Sequence, residues 1–407
     1  MTNRAQVSLE RAVLGVSCVL MSIAMAGGLA RAAEIAAIPP PARTEGKLEN
    51  PALCRFVADP AGSRIVPAEP EKYADHRPGA PYRLEAQDQG VVLKHGDGPG
   101  KCDILGAREA LVYEADGTYY LHYDGAGPRG WLACLAVSKD LIHWTKKGPV
   151  LDLGKRSEDD SATASSPWVH FDGKQWHMFY VGSARATPPP ELIPAVPYVT
   201  MKARASSPSG PWIKQPGVVP FRPQPGTYYS DTASAGDILR HNNEYLMFFS
   251  AAMLRPRGSE LVFYRTIGLA RTRNLDGPWK VDPEPIVPPT EQLENSSMYY
   301  EPTNQTWFLF VNHIGVAAGA GEYGDAVWVY WTRDLNRWDT AHKAVVLDGK
   351  NCGWSSRCIG VASVVKAGNR LAILYDAAGG DSTSNMRRDI GLAWLNLPLV
   401  LPPGSVD

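Results

Sequence analysis

A nine-residue phrase constrains this chain more than any other feature. GTYYLHYDG (117–125) alternates polar and aromatic residues behind a turn, and four variants follow: KQWHMFYVG (174–182), EYLMFFSAA (244–252), TWFLFVNHI (306–314) and RLAILYDAA (370–378). Aligned on Tyr119, Trp176, Tyr245, Trp307 and Leu371, the copies stand 57, 69, 62 and 64 residues apart. Those intervals are too long for a helical solenoid repeat or a typical WD40 blade. Each interval holds four strand-like runs; in the first they are REALVY, TYYLHYD, LACLAVS and HWTKKG. An aromatic closes each outer turn, at Trp144, Trp212, Trp279 and Trp338. Strands separated by turn chemistry, with almost no helix-period pattern, imply an all-β fold. Packing four-stranded units radially avoids long exposed sheet edges. The sequence therefore predicts a five-bladed β-propeller with four-stranded blades over residues 91–400. Residues 34–90 read as an N-terminal arm that either adds a strand closing the ring or stays an arm. A pair of β-sandwiches would leave the five-fold phrase without a reason.

Residues 1–33 read as an export signal: Arg4 and Arg11, then the apolar run AVLGVSCVLMSIAMAGGLA, then the small residues of ARAA. An uncleaved anchor is the competing reading, but the small-residue end and the IPPPAR that follows favour cleavage. The mature chain is then expected to be secreted or periplasmic, with no membrane attachment after cleavage. Five cysteines remain: Cys54, Cys102, Cys134, Cys352 and Cys358. In an oxidising compartment Cys352 and Cys358 are spaced to close a small loop, and Cys102 to pair with Cys54 or Cys134. No CxxC or nearby His pair gives zinc-ligand spacing. With a formal charge of −1 and no basic stripe, nucleic acid and anionic membranes are poor partners.

The turns between first and second strands are short (EADG, DGKQ, HNNE, EPTNQ, KAGN), whereas the connections between second and third strands are long and irregular. In a propeller the long connections share a face with the starts of the innermost strands, which is where a site is expected. Counting back from the anchors, Asp103 and Asp160 each lie sixteen residues upstream, Glu109 ten, Asp231 fourteen and Glu294 thirteen. Several units thus direct a carboxylate toward one funnel. Such a set suits glycosidic cleavage, with one carboxyl delivering a proton to the leaving oxygen and another activating water or attacking the sugar. A third acid would raise the first one's pKa through like-charge proximity. Acids at strand ends also cap turns or face solvent, so these five form a candidate catalytic set.

Trp131 and Trp354 are candidates for stacking on sugar faces, and His313, at the end of a second strand, for substrate binding or proton transfer. Arg357, Arg387 and Arg388 are the clustered cations near the same face. DGAG and GAGEYG lack the strand–loop–helix setting of nucleotide sites. No cofactor is required by this chemistry and no metal-ligating set is expected. A structural Ca²⁺ is compatible with oxygen ligands converging in the funnel, although no dedicated loop motif is present.

REALVYEADGTYYLHYDG followed by LAVSKDLIHW resembles the first blade of propeller glycosidases of glycoside hydrolase family 43 and its relatives, families 32, 117 and 130. SSPWVHFDGKQWHMFY looks like the second blade. The resemblance is one of rhythm and covers most of residues 100–397. It implies an Asp-Pro general base opening blade one, a pKa-modulating Asp in blade two and a Glu acid in blade three. Here the first position holds Glu109 in Arg-Glu-Ala, with Asp103 upstream. The second blade offers Asp160, its strand opening with Ser165 and Ser166. The third offers Asp231, and a Glu appears only in blade four, as Glu294.

The expected function is that of an exported glycoside hydrolase acting on an oligo- or polysaccharide, with inversion implied by the family 43 likeness. A glycoside phosphorylase, using phosphate in place of water, is the second reading, and a non-catalytic sugar-binding propeller the third.

Overall fold

The structure is a computed structural model that describes residues 56–405, apart from 258–259, 318–320 and 361. The export segment and Cys54 lie outside the described residues. Strands β1 (Ser63–Pro67), β2 (Tyr82–Leu84) and β3 (Gln87–Leu93) precede the repeats. The first repeat forms β4 (Gly106–Ala115), β5 (Thr118–Gly127), β6 (Gly130–Ser138) and β7 (Thr145–Pro149). The second forms β8 (Thr163–Phe171), β9 (Trp176–Ser183), β10 (Val199–Ala205) and β11 (Ile213–Lys214). The third forms β12 (Thr232–His241), β13 (Glu244–Arg257), β14 (Glu260–Thr272) and β15 (Lys280–Val281). The fourth forms β16 (Leu293–Glu301), β17 (Thr306–Ala317), β18 (Gly321–Thr332) and β19 (Lys343–Asp348). The fifth contributes β20 (Ser363–Ala367), β21 (Arg370–Ala377) and β22 (Asp389–Asn396), before a terminal β23 (Leu399–Val400).

Inside each unit, neighbours pair antiparallel in chain order. β3 supplies the fourth strand of the fifth unit by pairing antiparallel with β22. β6 and β8 also pair in parallel, at Trp131–Thr163 and Leu132–Ala164, which joins the first two units into one sheet. The rest of the segment before the repeats extends the fourth unit outward: β2 pairs β19 in parallel, then β1 pairs β2, and β23 pairs β1.

The core explains the repeated phrase. Side chains alternate faces along a strand, and each second strand is buried on both. In β21, Leu371, Ile373 and Tyr375 join the fourth unit's Phe308, Phe310 and Trp331. Its intervening residues Ala372 and Leu374 join the first unit's Val112, Leu121 and Tyr123. β17 does the same, with Leu309 and Val311 turned toward Phe248 and Leu269 of the third unit. Further clusters join units one and two through Leu132, Met178 and Tyr180, and units two and three through Phe179, Met247 and Phe249. Strands buried on both faces need apolar residues at nearly every position. A fully buried Phe or Leu stabilises by about 1.5–3 kcal/mol.

The short turns follow their sequence. Asp116 and Gly117 (φ 50° and 67°) and Asn242 and Asn243 (φ 49° and 64°) take the positive φ values of tight hairpin turns. In contrast, no bridge closes CGWSSRC. Cys102, Cys134, Cys352 and Cys358 are buried free thiols. Cys352 faces the Tyr375 hydroxyl at 3.5 Å, while Cys358 Sγ accepts from Arg388 Nη2 at 2.9 Å. The two sulfurs are held by different partners, and Ser355 Oγ closes the loop by donating to the Cys358 carbonyl.

Candidate active site

Each of four first strands breaks its register with the second strand near its middle: between Arg108 and Leu111, Ser165 and Trp168, Ser234 and Asp237, and Glu294 and Ser297. These are β-bulges, which bend a strand and re-aim its side chains. Three carry a non-glycine residue in the left-handed region: Glu109 (φ 51°), Ser166 (φ 46°) and Asn295 (φ 55°). Backbone strain of this kind gathers at functional sites. Here the bulged segments converge on one cavity, about 930 Å³ counting its open mouth, which receives Glu109, Ser166, Ser234 and Glu294 from four different units.

Two carboxylate systems face that cavity. Glu109, with one-fifth of its side chain accessible, contacts Ser166 Oγ through Oε2. The same Oγ lies 3.1 Å from Asp124 Oδ2, and the Ser166 N–H donates to Asp124 Oδ1 at 2.5 Å. Asp124 is a buried residue of β5. Burial pushes the Glu109 carboxyl up; Arg108 and Ser166 pull it down, while Glu294 and Asp376 add to the rise. Asp124 is raised well above the usual carboxylate range, by burial first and the Glu109 charge second.

Glu294 has different company. Arg265 Nη1 donates to its Oε1 at 2.6 Å, while Nε and Nη2 clasp Glu322 at 3.0 and 2.8 Å. Burial works against the Arg265 charge, but Glu294 and Glu322 outweigh it and hold the guanidinium protonated. A second buried acid, Asp376, accepts from Arg388 Nη1 at 2.8 Å and Arg108 Nε at 3.4 Å. The Arg108 guanidinium lies 4.9 Å above the Trp131 ring.

Of the five acids expected to be catalytic, the structure brings only Glu109 and Glu294 into the cavity. Asp103 is fully buried against Lys146 Nζ (2.6 Å), the Gly98 N–H (2.8 Å) and the Tyr123 hydroxyl (3.3 Å). Asp160 is clasped by Lys214 Nζ (2.6 Å) and the Tyr180 hydroxyl (2.8 Å). Their equal spacing from the anchors reports this shared clasp: an acid before the first strand, a Tyr on the second and a Lys on the fourth. Asp231 does not line the cavity either: its carboxylate accepts from Ser230 Oγ and the Leu254 N–H, and only its backbone carbonyl bonds the lining residue Tyr198.

Among the expected binding residues, Trp131 lines the cavity, its indole N–H donating to the Glu191 carbonyl at 2.9 Å. His313 is fully buried behind the wall, stacked 3.7 Å from Trp328 with Nδ1 against Asp325 and Arg77. Trp354 bonds Tyr375 instead, and Arg357 sits over Tyr323, a cavity residue. Arg387 uses its backbone to bond Leu105; its neighbour Arg388 is the arginine that reaches the cavity. Among the described residues, no group of three or more His, Cys, Asp or Glu side chains is set to hold a metal ion.

The acids missed by counting upstream stand inside the repeated phrase, five residues past each anchor: Asp124 and Asp376. The same position holds Ser250 and Asn312, and Val181 in the second unit. These polar residues brace the next unit's first strand. Asp124 takes the Ser166 N–H, Ser250 the Asn295 N–H (2.7 Å) and Asn312 the Ala362 N–H (3.3 Å), while Asp376 takes the Arg108 side chain. A polar residue recurring in an otherwise apolar strand was the signal that could have found them.

No family model matches the chain. Solved structures similar to it include a glycoside hydrolase with TM-score 0.57 and 13% identity, over 78% of this chain and 93% of that one. A family 117 glycoside hydrolase of the marine bacterium Zobellia galactanivorans gives TM-score 0.51 at 15% identity, covering 77% and 91%. A thermostable family 43 glycoside hydrolase gives 0.51 at 15% identity, covering 71% and 89%. The chain is thus all-β with the fold of propeller glycoside hydrolases. A 1,2-beta-oligomannan phosphorylase of Thermoanaerobacter sp. (strain X514) is 42% identical over 53 residues, which span 12% of this chain and 18% of that protein.

Proposed function

We propose that this chain cleaves glycosidic bonds in a saccharide by hydrolysis, on a five-bladed propeller whose ring β3 completes, after export directed by residues 1–33. The observation that carries the reading is that Glu109 and Glu294 enter one cavity from units one and four with opposite surroundings. Glu109, its carboxyl shifted upward by burial and linked through Ser166 to a second carboxyl, acts as general acid. Glu294, gripped by Arg265, is the carboxylate placed to act as the base that activates water, which gives inversion at the anomeric carbon. Trp131, expected from the sequence to stack on a sugar, is instead buried in the cavity wall with Arg108 over its ring. The fold likeness supports a carbohydrate substrate, since the similar structures are glycoside hydrolases.

A screen of the full chain against aryl glycosides and polysaccharides tests this, with Glu109→Gln and Glu294→Gln as controls. Each amide variant is expected to lose about 10²-fold or more in kcat while remaining folded. Parent-level turnover by either would remove it from the mechanism.

The match to an oligomannan phosphorylase favours a second reading, phosphorolysis on the same scaffold. Against it, the cavity arginines are already engaged by carboxylates: Arg265 by Glu294 and Glu322, Arg388 by Asp376, Arg108 by Asp376 and Glu109. Turnover that requires added inorganic phosphate and yields a sugar phosphate would replace hydrolysis with this reading.

A further inference from the structure

The strand-two acid Asp124 has no part in the two-carboxylate scheme, yet its contacts with Ser166 permit a count of hydrogens. Ser166 Oγ is within hydrogen-bond reach of two carboxyl oxygens, Glu109 Oε2 and Asp124 Oδ2. A hydroxyl carries one hydrogen. Were both carboxyls ionised, Ser166 could donate to only one of them, and the other contact would set lone pairs against each other in a buried place. The arrangement is satisfied when one carboxyl keeps a proton and donates it to Ser166 Oγ, while Ser166 donates to the other. Three oxygens then form a chain carrying two hydrogens.

We propose that Ser166 is a proton relay through which Asp124 protonates Glu109. In the resting site the one shared proton is on Asp124. Before protonation of the leaving oxygen, the Ser166 hydroxyl proton moves to Glu109 Oε2 as the Asp124 carboxyl proton moves to Ser166 Oγ, and Glu109 then delivers its proton. The transfer leaves Glu109 neutral, Ser166 with one hydrogen and Asp124 as the carboxylate, so protons and charge balance. The negative charge is thereby passed from the cavity surface to the buried strand. The relay is held in register by the bulge: Ser166 sits at φ 46° with its N–H on Asp124 Oδ1 at 2.5 Å. The second-unit bulge thus holds a hydroxyl that links acids of the first unit.

Other charged or titratable groups act on this chain of oxygens. Arg108 approaches Glu109 Oε1 at 3.8 Å. Glu294 and Asp376 repel the Glu109 charge, and Arg388 and Tyr198 act on it electrostatically. None of them bridges the two carboxyls as Ser166 does.

The catalytic consequence rests on Glu109 being the acid, but the relay can be tested without turnover. Infrared difference titration of the ligand-free full chain reads protonated carboxyls directly. If one proton is shared, the parent keeps a protonated-carboxyl band at neutral pH, and that band is lost in Asp124→Asn and in Glu109→Gln alike. Absence of the band in the parent, or its survival in Glu109→Gln, overturns the relay whatever the enzyme's activity. The Asp124→Asn variant is expected to fold, because the amide oxygen still accepts the Ser166 N–H and the amide nitrogen can donate to Ser166 Oγ. A kinetic arm follows once a substrate is known. Ser166→Ala and Asp124→Asn should lower kcat about tenfold or more, at unchanged KM, for substrates whose leaving group needs a proton. A substrate with a strongly acidic phenol as leaving group should be cleaved at nearly the parent rate; equal losses on both substrates would reduce Ser166 to a structural role.

Discussion

Arg265 and Glu294 form the most closely engaged ion pair in the cavity, Nη1 to Oε1 at 2.6 Å, on strands of adjacent units. Because Arg265 also clasps Glu322 at 2.8 Å, removing it leaves two carboxylates facing each other without their cation. Breaking a buried pair by deleting one partner costs about 3–5 kcal/mol. Arg265→Met is therefore expected to lower the urea midpoint and to lose at least about tenfold in kcat/KM, since a displaced base misplaces its water. Unchanged stability in urea would show that the pair contributes nothing.

As the proposed general acid, Glu109 would act only while it holds its proton, and its carboxyl is shifted upward by burial. Activity should therefore fall as pH rises through that raised value, giving a basic limb in the profile of kcat/KM. In Glu109→Gln the limb should vanish with the activity, and the loss should be smallest for substrates with the most acidic leaving groups. A basic limb that persists in the residual activity of Glu109→Gln would belong to another group.

Asp103 and Asp160, which the spacing of the repeats points toward the site, stand instead in Lys–Tyr clasps. Their amide variants test that correction. Asp103→Asn should lose about 1–3 kcal/mol of stability, because a buried charge-assisted hydrogen bond is lost while Lys146 keeps Asp97 and the Lys94 carbonyl as partners. Its kcat/KM below the melting transition should stay within about twofold of the parent. A hundredfold loss of kcat in a folded Asp103→Asn would return it to the mechanism.

His122, fully buried in β5 beside the Tyr113 hydroxyl, is held neutral: burial lowers its pKa from 6.5 to about 3. The unfolded chain protonates this residue near pH 6.5 and the folded chain does not. The folded state is thus at full advantage above pH 6.5 and loses it as pH falls toward 3, by up to about 1.4 kcal/mol per pH unit. Urea unfolding at pH 7 and pH 4.5 should show this decline, and His122→Leu should flatten it. An equal decline in both proteins would place the acid sensitivity elsewhere.

The strands were legible from the sequence because a second strand buried on both faces must repeat its apolar pattern in every unit. Its turns were equally legible, since Asp-Gly and Asn-Asn occupy positions of positive φ. Site residues were legible only in part. Glu109 and Glu294 could be found as acids near the start of a first strand, but so could Asp103, Asp160 and Asp231, and distance along the chain could not separate them. Asp124 and Asp376 were hidden among the aromatics of the phrase itself, where a carboxylate reads as an interruption of a core strand.

From the sequence alone came the recurring second strand and the all-β class, because burial on alternate faces writes itself into residue spacing; that β3 supplies the last strand of the fifth unit came only from the pairing. Tertiary structure decided which carboxylates share a cavity. A β-bulge turns a side chain from one face to another within a single residue, and the cation that clasps an acid arrives from a strand tens of residues away. Linear spacing records neither event, so equal offsets marked two structural clasps, and the unequal ones did not separate Glu109 and Glu294 from Asp231.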